Sequence, residues 1–451
     1  ISALQLTDLF LDRIRRLNGV AKAFITVTEE EARREAAACD STQVSATSAS
    51  LRGIPFAVKD LIDIKGVTTT GGSAVLADNV ATEDAFLIAR MRAAGAISLG
   101  KLNLHEFAYG ATGENKVYGA AANAYDPTRL AGGSSSGSAA AIAFGLIPAA
   151  FGTDTGGSVR VPAALSGLVG LKPTMGRIST RGVLPFSWTL DHVGILTRTI
   201  ADSALILREV AAYDELDPGC ADEPAGDYST DEKPAAMDIR GLRVGIPRKF
   251  FFERADSEIL SATEAVLHFL ESRGAVLNDI ELPSMEHART VSLTIQMPEA
   301  LSFHSQYLME RGHLYGTDFR AGLALGQCLL AEHYVRARRF LARYRHSMNA
   351  IFSNVDVLVT PTTPCIAMKV GETKVAIDGI EEGAGNAVTR LTTFFNLTGH
   401  PALTLPSGLH SLGLPMGVQL IGRYFEEATI FRVAAAVESQ ETFRIALPPV
   451  K

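Results

Sequence analysis

The sequence predicts an α/β fold in which a central, mixed and largely parallel twisted sheet is sandwiched between helices. Apolar runs of strand length alternate with helical patterns, first over Leu51–Asp60, Asp84–Ala94 and Ala96–Leu99, then over Gly241–Pro247, Ser257–Arg273 and Ala275–Leu282. That order builds parallel ladders with crossover helices. Between the two sets lies Gly132–Gly167, where two Gly/Ser-rich turns bracket one helix and one strand. The chain of 451 residues, 47% hydrophobic and 20% charged, is long and apolar enough for a large core.

The elements follow in order. Leu4–Leu17 carries apolar residues at helical spacing and Glu29–Ala38 is a Glu/Arg-rich helix. With the Ser/Thr/Ala-rich loop Asp40–Ser50, they form an expected flange over residues 1–50. Residues 51–213 form the core region. It continues with a Gly-containing connection at Asn103–Thr112, loop-rich segments at Gly170–Pro173 and Gly176–Gly182, and a helix at Thr199–Ala212. Residues 214–238, dense in Asp, Glu, Pro and Gly, read as a linker. A second α/β and helical region spans 239–375, with a long helical stretch over Pro298–Phe352 and a buried strand over Val355–Pro361. Residues 368–384 read as an irregular lid or surface loop. From 376 to 451 the chain returns to the sheet through a strand at Ala402–Leu405, followed by the Gly413–Gly422 segment and a helix at Glu426–Glu438.

Charge and composition exclude several classes. A net charge of −7 offers no face for nucleic acid and no polybasic membrane anchor. No run reaches 18 apolar residues, and the opening residues do not resemble a signal peptide. Cys39, Cys220, Cys328 and Cys365 lie far apart without C-x-x-C pairing, so free, mostly buried thiols and a cytoplasmic setting are expected. No H-E-x-x-H occurs, His105, His192 and His400 read as structural, and neither a metal nor a cofactor is expected.

Chemistry concentrates in the central stretch. Serines precede an Ala-rich run over Ser138–Phe144, which predicts a helix. Leu146–Phe151 reads as a buried strand marred by Pro148. Ser158 then opens another helix, with Pro162 in its first turns. Gly156 and Gly157 let main-chain N–H groups approach a ligand, as an oxyanion hole beside a serine requires. A phosphate-binding loop or a plain surface turn is the alternative for either turn alone. Lys59 ends an apolar strand and is followed by Leu61–Ile64, which predicts burial and a lowered pKa.

Three similar patterns fit less well. Gly133–Gly137 matches G-x-S-x-G with Ser135 central, but a loop and not a strand precedes it. Ser98–Lys101 matches S-x-x-K without the K-T-G that should accompany it. Gly137 is followed by serine, not by the lysine of a phosphate loop.

What remains is Lys59, Ser134 and Ser158. The runs Gly132-Gly133-Ser134-Ser135 and Gly152-Thr153-Asp154-Thr155-Gly156-Gly157-Ser158-Val159-Arg160, with Lys59 inside Pro55–Asp60, resemble the amidase signature family. Weaker likeness runs from about Leu4 to the last helix. Ser136 departs from the glycine many members carry there.

The resemblance implies an amidohydrolase that cleaves amide, carbamate or urea-type C–N bonds. Ser158 would form an acyl-enzyme, with Ser134, held by a cis peptide, and Lys59 as proton relay and base. Main-chain N–H groups at Thr155, Gly156, Gly157 and Ser158 would take the oxyanion, and Asp154 and Arg160 would pair to hold the loop. Phe107, Ala108, Tyr109, Phe186 and Trp188 are candidates either for the acyl pocket or for ordinary packing. The substrate is expected to be a small-molecule amide or carbamate, with no nucleic-acid or membrane partner. The resemblance alone suggests a homodimer. Two other readings stay open: the A subunit of a glutamine-dependent aminoacyl-tRNA amidotransferase, and a silent anion-binding protein.

Overall fold

Side-chain alternation along two adjacent strands decides where the core lies. In a computed structural model of the chain, which describes residues 1–41, 50–228 and 238–448, Phe56 and Val58 point into one apolar cluster and Ala57 into another. The neighbouring strand repeats the pattern with Ala149 and Phe151 against Ala150. Successive side chains of a strand face opposite ways, so both faces of this sheet are covered.

The strands are β1 (Phe24–Val27), β2 (Pro55–Lys59), β3 (Ile97–Leu102), β4 (Ala149–Asp154), β5 (Val169–Lys172), β6 (His192–Thr197), β7 (Arg243–Ile246), β8 (Val276–Asp279), β9 (Val357–Pro361), β10 (Lys374–Ile377), β11 (Ile380–Gly383), β12 (Ala402–Leu409) and β13 (Pro415–Gly422). Eleven form one sheet in the order β1-β3-β2-β4-β6-β5-β12-β13-β9-β7-β8, while β10 and β11 form a separate hairpin. The sheet is mixed. Its parallel ladders are β2 with β3 and β4, and β7 with β8 and β9. These include both βαβ patterns read from the sequence, and the remaining ladders are antiparallel.

On one face, Ala3–Ala21 and Ser136–Ala143 meet the cluster that holds Ala57 and Ala150. On the other, Phe86–Ala93, Ile200–Val210, Ser257–Ser272 and Glu427–Glu438 cover Phe56, Val58 and Phe151. Among the described residues no helix is long and apolar enough to cross a membrane.

Several sequence expectations shift. Val169–Lys172 is a strand and not a loop, and β1 and β6 carry no signal strong enough to read. The reason for β5 is local: a Cβ at Gly170 would lie 2.5 Å from that of Ala163. Glycine there permits close helix–sheet approach while erasing strand propensity. Pro148 precedes β4, which begins one residue later, so the ladder loses no donor. The long helical stretch is three helices, Ala288–Arg311, Thr317–Cys328 and Ala331–Ile351, and Pro298 sits inside the first instead of opening it. The irregular 368–384 segment contains the hairpin β10–β11. Of the four free cysteines only Cys220 is buried. Residues 42–49 of the expected loop and 229–237 of the expected linker lie outside the described residues.

Candidate active site

Three strand ends and two turns converge at one point. Lys59 closes β2, and the following carboxylate, Asp60, turns the other way to pair with Lys101 Nζ at 2.8 Å. Lys59 is fully buried, and its Nζ donates to Ser134 Oγ at 2.7 Å and to Thr153 Oγ1 at 2.8 Å. Burial, opposed by Asp191 and Asp154, pulls its pKa down to about 7.

Main-chain bonds stitch the two Gly/Ser turns together. The peptide between Gly133 and Ser134 is cis, and the Ser134 carbonyl accepts from the N–H of His105 at 3.1 Å. Ser135 N–H donates to the carbonyl of Ser158 at 3.1 Å, and its hydroxyl donates to the Thr153 carbonyl at 3.2 Å. Ser135 is fully buried in this role, which removes it as the nucleophile of a G-x-S-x-G elbow. Ser134 and Ser158 each lie two residues ahead of a helix, Ser136–Ala143 and Arg160–Leu165 respectively.

Asp154 fastens the second turn. Its carboxylate accepts from Gly157 N–H (2.8 Å), Val159 N–H (3.1 Å), Asn396 Nδ2 (2.8 Å) and Arg160 Nη2 (3.0 Å). Burial alone would raise its pKa, but Arg160, Asn396 and Lys172 outweigh burial and hold it below the usual carboxylate range. Asp191, half-buried, accepts from Thr155 Oγ1 at 2.5 Å and from the N–H groups of Phe186 and Ser187. Burial lifts it to about 6 despite those donors.

Ser158 opens onto a cavity of about 650 Å³ whose wall includes Thr155, Gly156, Ala108, Tyr109, Phe186 and Gln296. The hairpin region contributes Val370, Glu372 and Thr373. No acceptor for the N–H groups of Thr155, Gly156 or Ser158 occurs among the described residues. Gly157 differs from the expectation: its N–H is committed to Asp154, and it does not line the cavity. The hydroxyls of Ser134 and Ser158 are not hydrogen-bonded to each other.

Two pocket candidates belong elsewhere. Phe107, at φ 47°, turns away from the cavity and packs on His304, Tyr315 and Phe319. Trp188 is 58% exposed and flanks two other cavities. His105 borders the Ser158 cavity, and burial draws its pKa down to about 4, so its ring is neutral at pH 7. His192 Nδ1 donates to the Leu190 carbonyl at 2.8 Å, while His400 stacks between Phe352 and Tyr424. Sequence reasoning missed Thr153 and Asp191. Thr153 lies inside the conspicuous second turn, whereas Asp191 has no local pattern and is brought in by β6.

A buried amine on one hydroxyl, next to a second serine beneath uncommitted N–H groups, is chemically suited to acyl transfer. The chain belongs to the amidase family, whose model, described as Amidase, matches residues 5–431. It is similar to a glutamyl-tRNA(Gln) amidotransferase subunit of Roseiflexus sp. (strain RS-1), 37% identical over 99% of this chain and 95% of that protein. Among solved structures it resembles a chain from a vestigial protein complex bearing on the origins of an s-triazine catabolic enzyme. That match has a TM-score of 0.93 and 34% identity over 99% of this chain and 97% of that one. The peptide amidase of Stenotrophomonas maltophilia matches with a TM-score of 0.84 and 29% identity over 99% and 95%. The protein is thus an amidase-type enzyme acting on carbon–nitrogen bonds.

Proposed function

We propose that this chain is a serine-dependent amidohydrolase that opens amide, carbamate or urea-type bonds through an acyl-enzyme on Ser158. The observation that carries the reading is the buried Lys59 amine, 2.7 Å from Ser134 Oγ, in the same turn assembly that delivers Ser158 to the cavity. Ser158 Oγ rotates onto Ser134 as substrate enters and attacks the carbonyl carbon. Its proton passes through Ser134 to the neutral amine of Lys59. The N–H groups of Thr155, Gly156 and Ser158 receive the oxyanion, and the proton on Lys59 returns to the leaving nitrogen as the C–N bond breaks. Water then takes the same route in reverse to free the acid. Tyr109, Ala108 and Phe186 form part of the wall against which the substrate rests.

A fluorophosphonate tests this directly. Wild-type protein is expected to gain one phosphonyl adduct, located at Ser158 by peptide mapping, and Ser158→Ala none. Adduct-free wild-type protein would favour the silent anion-binding reading.

The pH dependence follows from Lys59. Its pKa of about 7 means that the amine is neutral, and able to accept a proton, only above that pH. We therefore expect kcat/KM to rise with pH and level off above about 7. The sign for stability is the same. The unfolded lysine binds its proton up to about pH 10.4, so burying Lys59 is least favourable below 7, and that penalty fades as pH rises from 7 to about 10. A pH–rate profile flat from 5 to 8 would remove Lys59 as the base.

The second reading, the amidotransferase component that releases ammonia from glutamine, is favoured by relatives 37–38% identical over nearly the whole chain. It predicts glutaminase activity only once the partner proteins are added. Turnover of simple amides by the isolated chain supports the free hydrolase, and light scattering checks the homodimer.

A further inference from the structure

One wall of the cavity is a single helix face. Arg289, Ser292, Leu293 and Gln296 line it from the first three turns of Ala288–Arg311, at the i, i+3, i+4, i+7 spacing that puts residues on one side. The inner end is anchored. Gln296 Nε2 donates to Ser292 Oγ at 2.7 Å and reaches the Thr155 carbonyl at 3.5 Å, beside the N–H groups assigned to the oxyanion. Arg289 stands at the outer end, seven residues away, which is about 10 Å along the helix axis.

The charged side chains around this cavity differ in how they are occupied. Glu114 accepts from Gly371 N–H at 2.8 Å, and Glu372 from Lys369 N–H at 3.0 Å. Asp318 lies 3.6 Å from Lys116 Nζ and accepts from Thr317 Oγ1 at 3.2 Å. The nearby Glu382 is taken by Arg390 at 3.5 Å. Arg289 alone of this set has neither an ion pair nor a side-chain hydrogen bond among the described residues. A guanidinium stays charged throughout the working pH range and offers paired donors matched to a carboxylate.

We infer that Arg289 is a specificity-determining residue: it receives an anionic group, a carboxylate above all, carried by the substrate at the end remote from the bond that is cleaved. The inference rests on the amidohydrolase reading and narrows its substrate class to amides with a negatively charged tail. Leu293, midway along the face, supplies an apolar surface for the methylenes between the two ends.

The mono-p-nitroanilides of glutaric and adipic acids, compared with their methyl esters, test the assignment. In wild-type protein the free acids are expected to exceed the esters in kcat/KM by about 10- to 100-fold, mainly through KM, since a hydrogen bond to a charged group has that order of effect. In Arg289→Gln the acid-to-ester ratio should collapse toward one, and Arg289→Lys should restore part of it. Protection gives a second readout that needs no turnover: adipate should slow fluorophosphonate labelling of Ser158 in wild-type protein, and not in Arg289→Gln. An unchanged acid-to-ester ratio in Arg289→Gln, or equal protection of both proteins, overturns the proposal. Loss of labelling in wild-type protein would instead overturn the amidohydrolase reading itself.

Discussion

Ser158→Ala is expected to lower kcat toward amides by about 10⁴-fold or more, with little change in KM, because the hydroxyl that forms the covalent bond is gone while the cavity wall stays. Lys59→Ala should lose nearly as much. Its amine is held only by Ser134 and Thr153, and no other buried base touches Ser134 among the described residues. The informative measurement is the pair. Groups that act as one unit are strongly non-additive, so the Lys59→Ala, Ser158→Ala double variant should be no slower than the worse single one. Multiplying losses, or Lys59→Ala at wild-type rate, would mean that the amine and the nucleophile do not belong to one relay. Lys59→Met serves as the control for folding, since a methionine fills the buried stem without its charge.

How much of this could be read in advance depended on range. Lys59, Ser134 and Ser158 announce themselves because turns and strand ends are local: glycines, serines and an apolar run suffice. Their partners are not local. Thr153 meets Lys59 across the β2–β4 ladder, and Asp191 reaches Thr155 from the start of β6, a strand whose sequence HVGILT carries a glycine and a histidine. The direction of side chains was equally hidden. Phe107 and Ala108 are neighbours, yet both take positive φ, and the backbone turns one into an aromatic cluster and leaves the other at the cavity. Gly157 shows the same limit within the motif. Glycine spacing suggested an N–H for the oxyanion, but Asp154 three residues earlier claims it. Local composition located the loop, while hydrogen-bond competition decided which amides remain open.

That competition sets the largest stability effect. Arg160 is fully buried; it pairs with Asp154 and also donates to Thr392 O (3.1 Å), Gln419 Oε1 (3.1 Å) and Asn396 Oδ1 (2.7 Å). Arg160→Leu would leave a buried carboxylate without its ion-pair partner and two acceptors, Gln419 Oε1 and Asn396 Oδ1, without a donor, at a cost of about 3–5 kcal/mol. The expected signature is a lower midpoint in urea with an unchanged m-value, so that stability and not compactness has changed. The sign with pH is fixed by Asp154. Its folded pKa lies below the unfolded value of about 3.9, so the pair's contribution is complete above that value and declines as pH falls below it. Wild type and Arg160→Leu should therefore differ most near neutrality and converge in acid. A difference under about 1 kcal/mol at pH 7, or one that widens on acidification, would show that Arg160 is not what holds the Ser158 turn, and that the neutral donors Asn396, Gly157 and Val159 suffice.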